Sequence, residues 1–184
     1  MIPRYSRPEM ARLWSDENRF ATWLEVEIAA TAVLAERGVV PKQALTAIRE
    51  RARIDIQRIE EIEREVQHDV IAFVTCVAES VGPEGRFLHY GLTSSDVVDT
   101  ALSILMRDAI DLVRADLLDL LDAVRERVFR HKHAVMIGRT HGVHAEPMTF
   151  GLKLALWHAE LQRQLGRIDR ARATIAYGKL SGAV

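Results

Sequence analysis

The sequence has 184 residues, enough for one domain or for one domain and part of a second, and its 48% hydrophobic content can supply a substantial core. A net charge of -1 and a pI near 6.7 exclude a general attraction to nucleic acid or to an anionic membrane, so any anion site must be local.

In chain order, the opening stretch Met1-Ile2-Pro3-Arg4-Tyr5-Ser6 lacks the apolar core of a signal peptide, and charges interrupt every apolar run before it could span a bilayer. A cytoplasmic protein is expected. Ser6-Arg7-Pro8-Glu9 matches a capping box with proline in the first turn and predicts a short helix to about Trp14. Ser15 or Asp16 then caps a helix in which Phe20, Trp23, Leu24, Ile28 and Leu34 recur at mostly helical intervals until Gly38. Pro41 opens a shorter helix carrying Leu45 and Ile48. Asp55 caps a long segment whose apolar residues Ile59, Ile62, Val66, Val70, Phe73 and Val77 alternate three- and four-residue steps, which predicts one helix ending at Gly82-Pro83. Gln67, His68 and Asp69 lie off that stripe, and exposure to solvent is the plain reading of His68 alone. Cys76, the one cysteine, falls in this run and is expected to be a buried thiol in a reducing compartment, with no redox or zinc pattern around it.

Three polar clusters interrupt the helical pattern. Besides Gln67-His68-Asp69, His89-Tyr90-Gly91-Leu92-Thr93-Ser94-Ser95-Asp96 places Thr93 three residues before Asp96, a capping arrangement for the next helix. The same exposed amides, with the hydroxyls of Thr93, Ser94 and Ser95, make a cradle for a carboxylate or phosphate. Near-continuous helix follows from Asp96 to about His131, roughly 50 Å at 1.5 Å per residue, with an apolar surface wider than one stripe. Gly138-Arg139-Thr140-His141-Gly142-Val143-His144-Ala145-Glu146-Pro147 is expected to be a loop. It crowds together an arginine able to hold an anion bidentately and two histidines whose ordinary titration lies nearest neutral pH. A second long helix is predicted from about Thr149 to Ile175, with Leu152, Leu156, Ala159, Leu165 and Ile168 inward and Trp157 and Leu161 adding width. No alternating apolar run supports a sheet, so the class is all-α. Gly178-Lys179-Leu180-Ser181-Gly182 lacks the ending and the preceding strand of a phosphate loop. The apolar ending Ser181-Gly182-Ala183-Val184, with two wide-faced helices, leads to the expectation of a fragment of a longer protein.

Taken together, these clusters carry a resemblance. Arg4-Tyr5-Ser6-Arg7-Pro8-Glu9-Met10, Trp14-Ser15-Asp16-Glu17-Asn18-Arg19-Phe20, His68-Asp69-Val70-Ile71-Ala72-Phe73, His89 through Thr100 and Gly138 through Pro147 stand in the order in which the bacterial adenylosuccinate lyases carry them. The whole chain resembles that family, within the fumarase and aspartase superfamily.

The resemblance implies an N-terminal helical domain over residues 1–93, followed over 94–184 by the first long helices of a central bundle that is completed elsewhere. It implies elimination of fumarate from adenylosuccinate, giving AMP, and from succinylaminoimidazole carboxamide ribotide, without metal or organic cofactor. His141 would be the general acid to the leaving nitrogen, with His68 assisting. Thr93, Ser94, Ser95 and Thr140 would donate to the succinyl carboxylates or to nearby groups. Arg4 and Tyr5 would hold the nucleotide phosphate, His89 would join them, and Gln67 and Asp69 would flank His68. Gln67 stands where a basic residue is expected in many relatives, which leaves it hydrogen bonding in place of an ionic role. The family's serine base, in a loop with a Met-Pro-x-Lys-x-Asn core, is not among these 184 residues. Partners implied are purine nucleotide substrates and a homotetramer with active sites shared between subunits, with no nucleic acid or membrane. The alternatives are a non-catalytic helical assembly module and another lyase of the superfamily.

Overall fold

The computed structural model describes residues 2–182; Met1, Ala183 and Val184, which belong to the opening stretch and the apolar ending discussed above, lie outside them. The fold is mostly helical: α1 (Pro8–Leu13), α2 (Asp16–Glu36), α3 (Lys42–Arg51), α4 (Ile56–Val66), α5 (Asp69–Val81), α6 (Ser94–Arg130) and α7 (Phe150–Ile175), with one hairpin of β1 (Val135–Thr140) and β2 (Val143–Thr149). No helix among the described residues is long and apolar enough to cross a membrane. The chain divides into two compact units, Met1–Asp108 with Ala176–Val184, and Ala109–Ile175.

In the first unit the predicted apolar stripes become the core. Phe20 and Trp23 of α2 meet Phe73 of α5, with Phe20 stacked on Phe73 at 5.8 Å and Trp23 edge-on to it at 5.5 Å. Ile48, Ile59, Val70, Val77 and Val97 fill the space around them and are buried. Ser15 caps α2 by accepting the Asn18 N–H at 3.2 Å, and Asp55 caps α4 by accepting the Arg58 N–H at 3.1 Å, as their sequence contexts predict. Ser6 does not cap α1. The N-cap is Arg7, whose side chain makes no capping hydrogen bond, and the Ser6 hydroxyl donates to the Ile2 carbonyl instead.

The single helix expected from Asp55 to Gly82 is two. Gln67 ends α4 in the left-handed region (φ 51, ψ 40), and His68, in extended backbone, starts α5. The apolar stripe reads through the break because Ile59 and Ile62 on one side and Val70, Phe73 and Val77 on the other enter the same core, whereas Val66 is 43% exposed. Periodicity reports which residues are buried, and two helices facing one core satisfy it as well as one.

In the second unit the expected loop at 138–147 is an antiparallel hairpin. Val135 pairs with Thr149 and Thr140 with Val143, with an irregularity between Ile137 and Arg139. His141 (φ 51) and Gly142 (φ 74) form the two-residue turn, both in the left-handed region that a tight hairpin connection requires. Glycine is also needed at the base. A Cβ on Gly151 would lie 2.6 Å from the Lys132 Cα and 2.7 Å from the Val128 carbonyl oxygen, so this contact admits no side chain. Arg114 pairs with Asp169 at 2.7 Å and Arg172 with Asp111 at 2.5 Å, tying α6 to α7. Leu152 and Leu156, expected inward, are 63% and 66% exposed, and Leu154 is the buried leucine of this turn.

Candidate functional site

The first unit brings two of the three clusters together. His68 is the N-cap of α5: its Nδ1 accepts the Ile71 N–H at 3.4 Å and lies 3.5 Å from Asp69 Oδ1. A ring that accepts at Nδ1 carries its proton on Nε2 in the neutral form, and Nε2 is 3.5 Å from the Ser94 hydroxyl at the start of α6. Asp69 Oδ1 also accepts the Val70 N–H at 2.8 Å, so two residues of the cluster are used in capping the helix they open. The break at Gln67 makes this possible, since a continuous helix would have no N-terminus there for His68 to cap.

At the start of α6, half of the expected capping box is present. The Thr93 N–H donates to Asp96 Oδ2 at 3.1 Å. Asp96 is fully buried and does more than cap. Oδ1 accepts the Ser181 N–H at 2.9 Å and its hydroxyl at 3.2 Å, Oδ2 accepts the Gly182 N–H at 2.9 Å, and the Lys179 ammonium lies 3.1 Å away. Burial works to raise the Asp96 pKa, but the N–H groups of Ser181, Thr93 and Gly182 and the Lys179 ammonium outweigh it and hold the carboxyl well below its usual range. Lys179 also donates to the Ser95 hydroxyl, and its main chain is bonded both ways to Thr100 Oγ1 at 2.9 Å. Sequence reading missed these residues. A segment rejected as a phosphate loop instead lies against the N-terminus of α6.

His89 sits in the left-handed region (φ 59) before Gly91 (φ 75). Its N–H donates to Glu27 Oε2 at 2.8 Å and its Nδ1 lies 2.6 Å from Glu27 Oε1. Glu27 was also missed. The available signal was its place seven residues after Phe20 and four after Trp23, on the buried face of α2, where a carboxylate needs a partner.

Arg4 and Tyr5 form part of a 3₁₀ turn, Pro3–Tyr5, with the Arg4 guanidinium 4.9 Å from the centre of the exposed Tyr5 ring. Thr140 and His141 belong to the second unit, where both are exposed at the hairpin tip. Cys76 is buried, as expected, and burial pushes its thiol pKa up. Among the described residues no group of three or more His, Cys, Asp or Glu side chains is placed to hold a metal ion. The non-glycine residues with positive φ among them are Gln67, His89 and His141. Each is a residue to which the sequence reading gave a site role. Such angles are held at a cost by the surrounding structure and concentrate at functional sites.

Known proteins resemble the chain throughout. It is 58% identical over 184 residues to adenylosuccinate lyase of Bacillus subtilis, covering all of this chain and 43% of that enzyme. It is 52% identical to adenylosuccinate lyase of Streptococcus mutans over the same span, and 50% identical to that of Aquifex aeolicus. The chain thus spans about 43% of the length of these relatives. Among solved structures, a fumarate lyase from Mesorhizobium matches 97% of the chain with a TM-score of 0.91 at 26% identity, covering 43% of that chain. The 3-carboxy-cis,cis-muconate lactonizing enzyme from Pseudomonas putida matches 97% with a TM-score of 0.89 at 31% identity, covering 42% of that chain. The family model described as Lyase matches residues 4–184, and the chain belongs to this lyase family, the fumarase and aspartase superfamily.

Proposed function

We propose that the protein carrying this chain is an adenylosuccinate lyase of purine synthesis, releasing fumarate from adenylosuccinate to leave AMP and from succinylaminoimidazole carboxamide ribotide to leave its carboxamide. The observation that carries the site assignment is the left-handed backbone of Gln67, His89 and His141. The choice of reaction is supported by the 50–58% identity to enzymes of that name. Elimination needs a base for the carbon-bound proton, donors for the charge that develops on the succinyl carboxylates, and an acid for the leaving nitrogen. His141, on a short hairpin turn, is assigned the acid role. His68 assists through the Nε2 side of its ring, because Nδ1 is occupied by the Ile71 N–H. Thr93, Ser94, Ser95 and Thr140 donate to the carboxylates. Arg4, Tyr5 and His89 hold the phosphate, while Gln67 and Asp69 shape the pocket around His68. The base comes from residues outside these 184, in the family's signature loop, and no metal or organic cofactor takes part. Residues 1–93 act as an N-terminal domain and 94–184 as the start of the bundle, in a cytoplasmic homotetramer with shared active sites and without nucleic acid.

The test is fumarate release by the complete protein across pH. His141→Gln is expected to lower kcat by roughly 10² to 10⁴, the usual worth of general acid catalysis, with a much smaller change in KM. Thr93→Ala removes a substrate donor and no proton-transfer group, so it is expected to lower kcat/KM while leaving the shape of the pH profile intact. Near-normal kcat in His141→Gln would pass the acid role to His68. No turnover of adenylosuccinate by the unsubstituted protein would remove the proposal in favour of another reaction of the superfamily.

A further inference from the structure

We propose that Glu27 is a positioning residue for substrate binding: from inside α2 its carboxylate clasps His89 at both the main-chain N–H and ring Nδ1, and so fixes Nε2 as the atom that meets the substrate's anionic group. This rests on the substrate-binding role given to His89 and goes beyond it by naming what sets that ring's geometry.

Glu27 is 1% exposed, on the face of α2 that carries Phe20 and Trp23 into the core. A buried carboxylate is tolerated only when paired, and an apolar residue would fill the same space without the desolvation cost. Its charge must therefore serve something other than packing. Both oxygens are spent on one residue, His89, which lies 62 positions away in sequence, and no Lys or Arg pairs with Glu27 among the described residues. The main-chain bond at 2.8 Å holds His89 at its left-handed φ of 59, and the ring bond at 2.6 Å fixes the plane and the tautomer. With Nδ1–H donating to the carboxylate, Nε2 is the ring's remaining polar atom, and the side chain is 24% exposed. To donate to an anionic group Nε2 needs a hydrogen of its own, and a carboxylate accepting at Nδ1 is the partner that favours a ring with N–H on both sides, whose Nε2 then donates with charge assistance. Replacing the carboxylate by an amide keeps the shape and an acceptor for the His89 N–H. It also presents an N–H to Nδ1, which moves the ring proton to Nε2 and leaves a neutral, weaker donor.

The experiment compares the complete protein with Glu27→Gln, His89→Gln and the double variant, using adenylosuccinate with and without its 5′-phosphate, and records imidazole ¹⁵N spectra of His89. Glu27→Gln is expected to raise KM for the phosphorylated substrate on the order of tenfold, as the loss of one charge-assisted bond would. KM for the phosphate-free substrate should change much less, and kcat should stay within about threefold. The double variant should be no worse than His89→Gln, and the Nδ1 proton of the parent should be lost in Glu27→Gln. Equal effects on both substrates, or additive effects of the two substitutions, would overturn the positioning role. If the parent turns over neither substrate, the proposed reaction fails and the spectra still decide the clasp. If Glu27→Gln does not fold, the parent spectrum decides it alone, an unprotonated Nδ1 being the contrary result.

Discussion

At the scale of single residues, charge and backbone angle act together in this chain. Asp96 gathers N–H groups from Thr93, Ser181 and Gly182 and the Lys179 ammonium around one buried carboxylate. Its pKa is depressed in the folded state, so the stability it contributes is fully present above its unfolded value of about 4 and is lost as pH falls through the lower folded value. Asp96→Ala leaves these donors without an acceptor and is expected to lower the thermal midpoint by several degrees at neutral pH. The gap between variant and parent should narrow as pH is taken from 4 toward 2.5, read by circular dichroism; a constant gap would contradict this assignment. Gln67 offers the opposite trade. Its left-handed angles suit glycine, so Gln67→Gly should stabilise the protein by about 1 kcal/mol against urea, while removing the amide proposed for the pocket lowers kcat/KM. A stabilised variant with full activity would separate Gln67 from the site.

At the scale of elements, the hairpin and the helix break decide where candidate site residues stand. Gly142→Val puts a β-branched residue at φ 74, where left-handed backbone costs about 1 to 2 kcal/mol, and should destabilise the turn that presents His141. Reduced activity with unchanged helical circular dichroism is the expected signature. Gly151→Ala forces a methyl against the backbone of Val128 and Lys132 and should cost about 1 to 3 kcal/mol by overpacking. A neutral result in denaturant unfolding would show that α6 and α7 can separate there at little cost. The caps at Ser15 and Asp55 were legible in sequence because a short polar side chain before an apolar period has a local purpose. The hairpin was not. Its strands are short and largely exposed, so no apolar alternation marks them, and its turn residues also read as an irregular loop.

At the scale of the whole molecule, large apolar side chains remain exposed on both long helices: Leu102, Met106, Leu120 and Phe129 on α6, and Leu152, Leu156 and Trp157 on α7. Apolar surface of this extent marks interaction sites, and the 184-residue chain is expected to run by light scattering as a species larger than its 20.8 kDa monomer. Leu152→Lys with Leu156→Lys should reduce that association; a concentration-independent monomer in the parent would mean that these faces stay solvated. The same preparation is expected to release no fumarate, since the proposed base lies outside it. Sequence alone determined the helical class, the central core residues of α2, α4 and α5 such as Phe20, Trp23, Ile59 and Phe73, and the three polar clusters, because burial periodicity, caps and residue chemistry are written locally along the chain. Only the tertiary structure decided that Glu27 faces His89, that Lys179 to Gly182 close on Asp96, and that His68 stands at a helix start beside Ser94. These contacts join positions 26 to 86 residues apart, and nothing in a local pattern encodes which distant backbone will supply a buried charge with its partner.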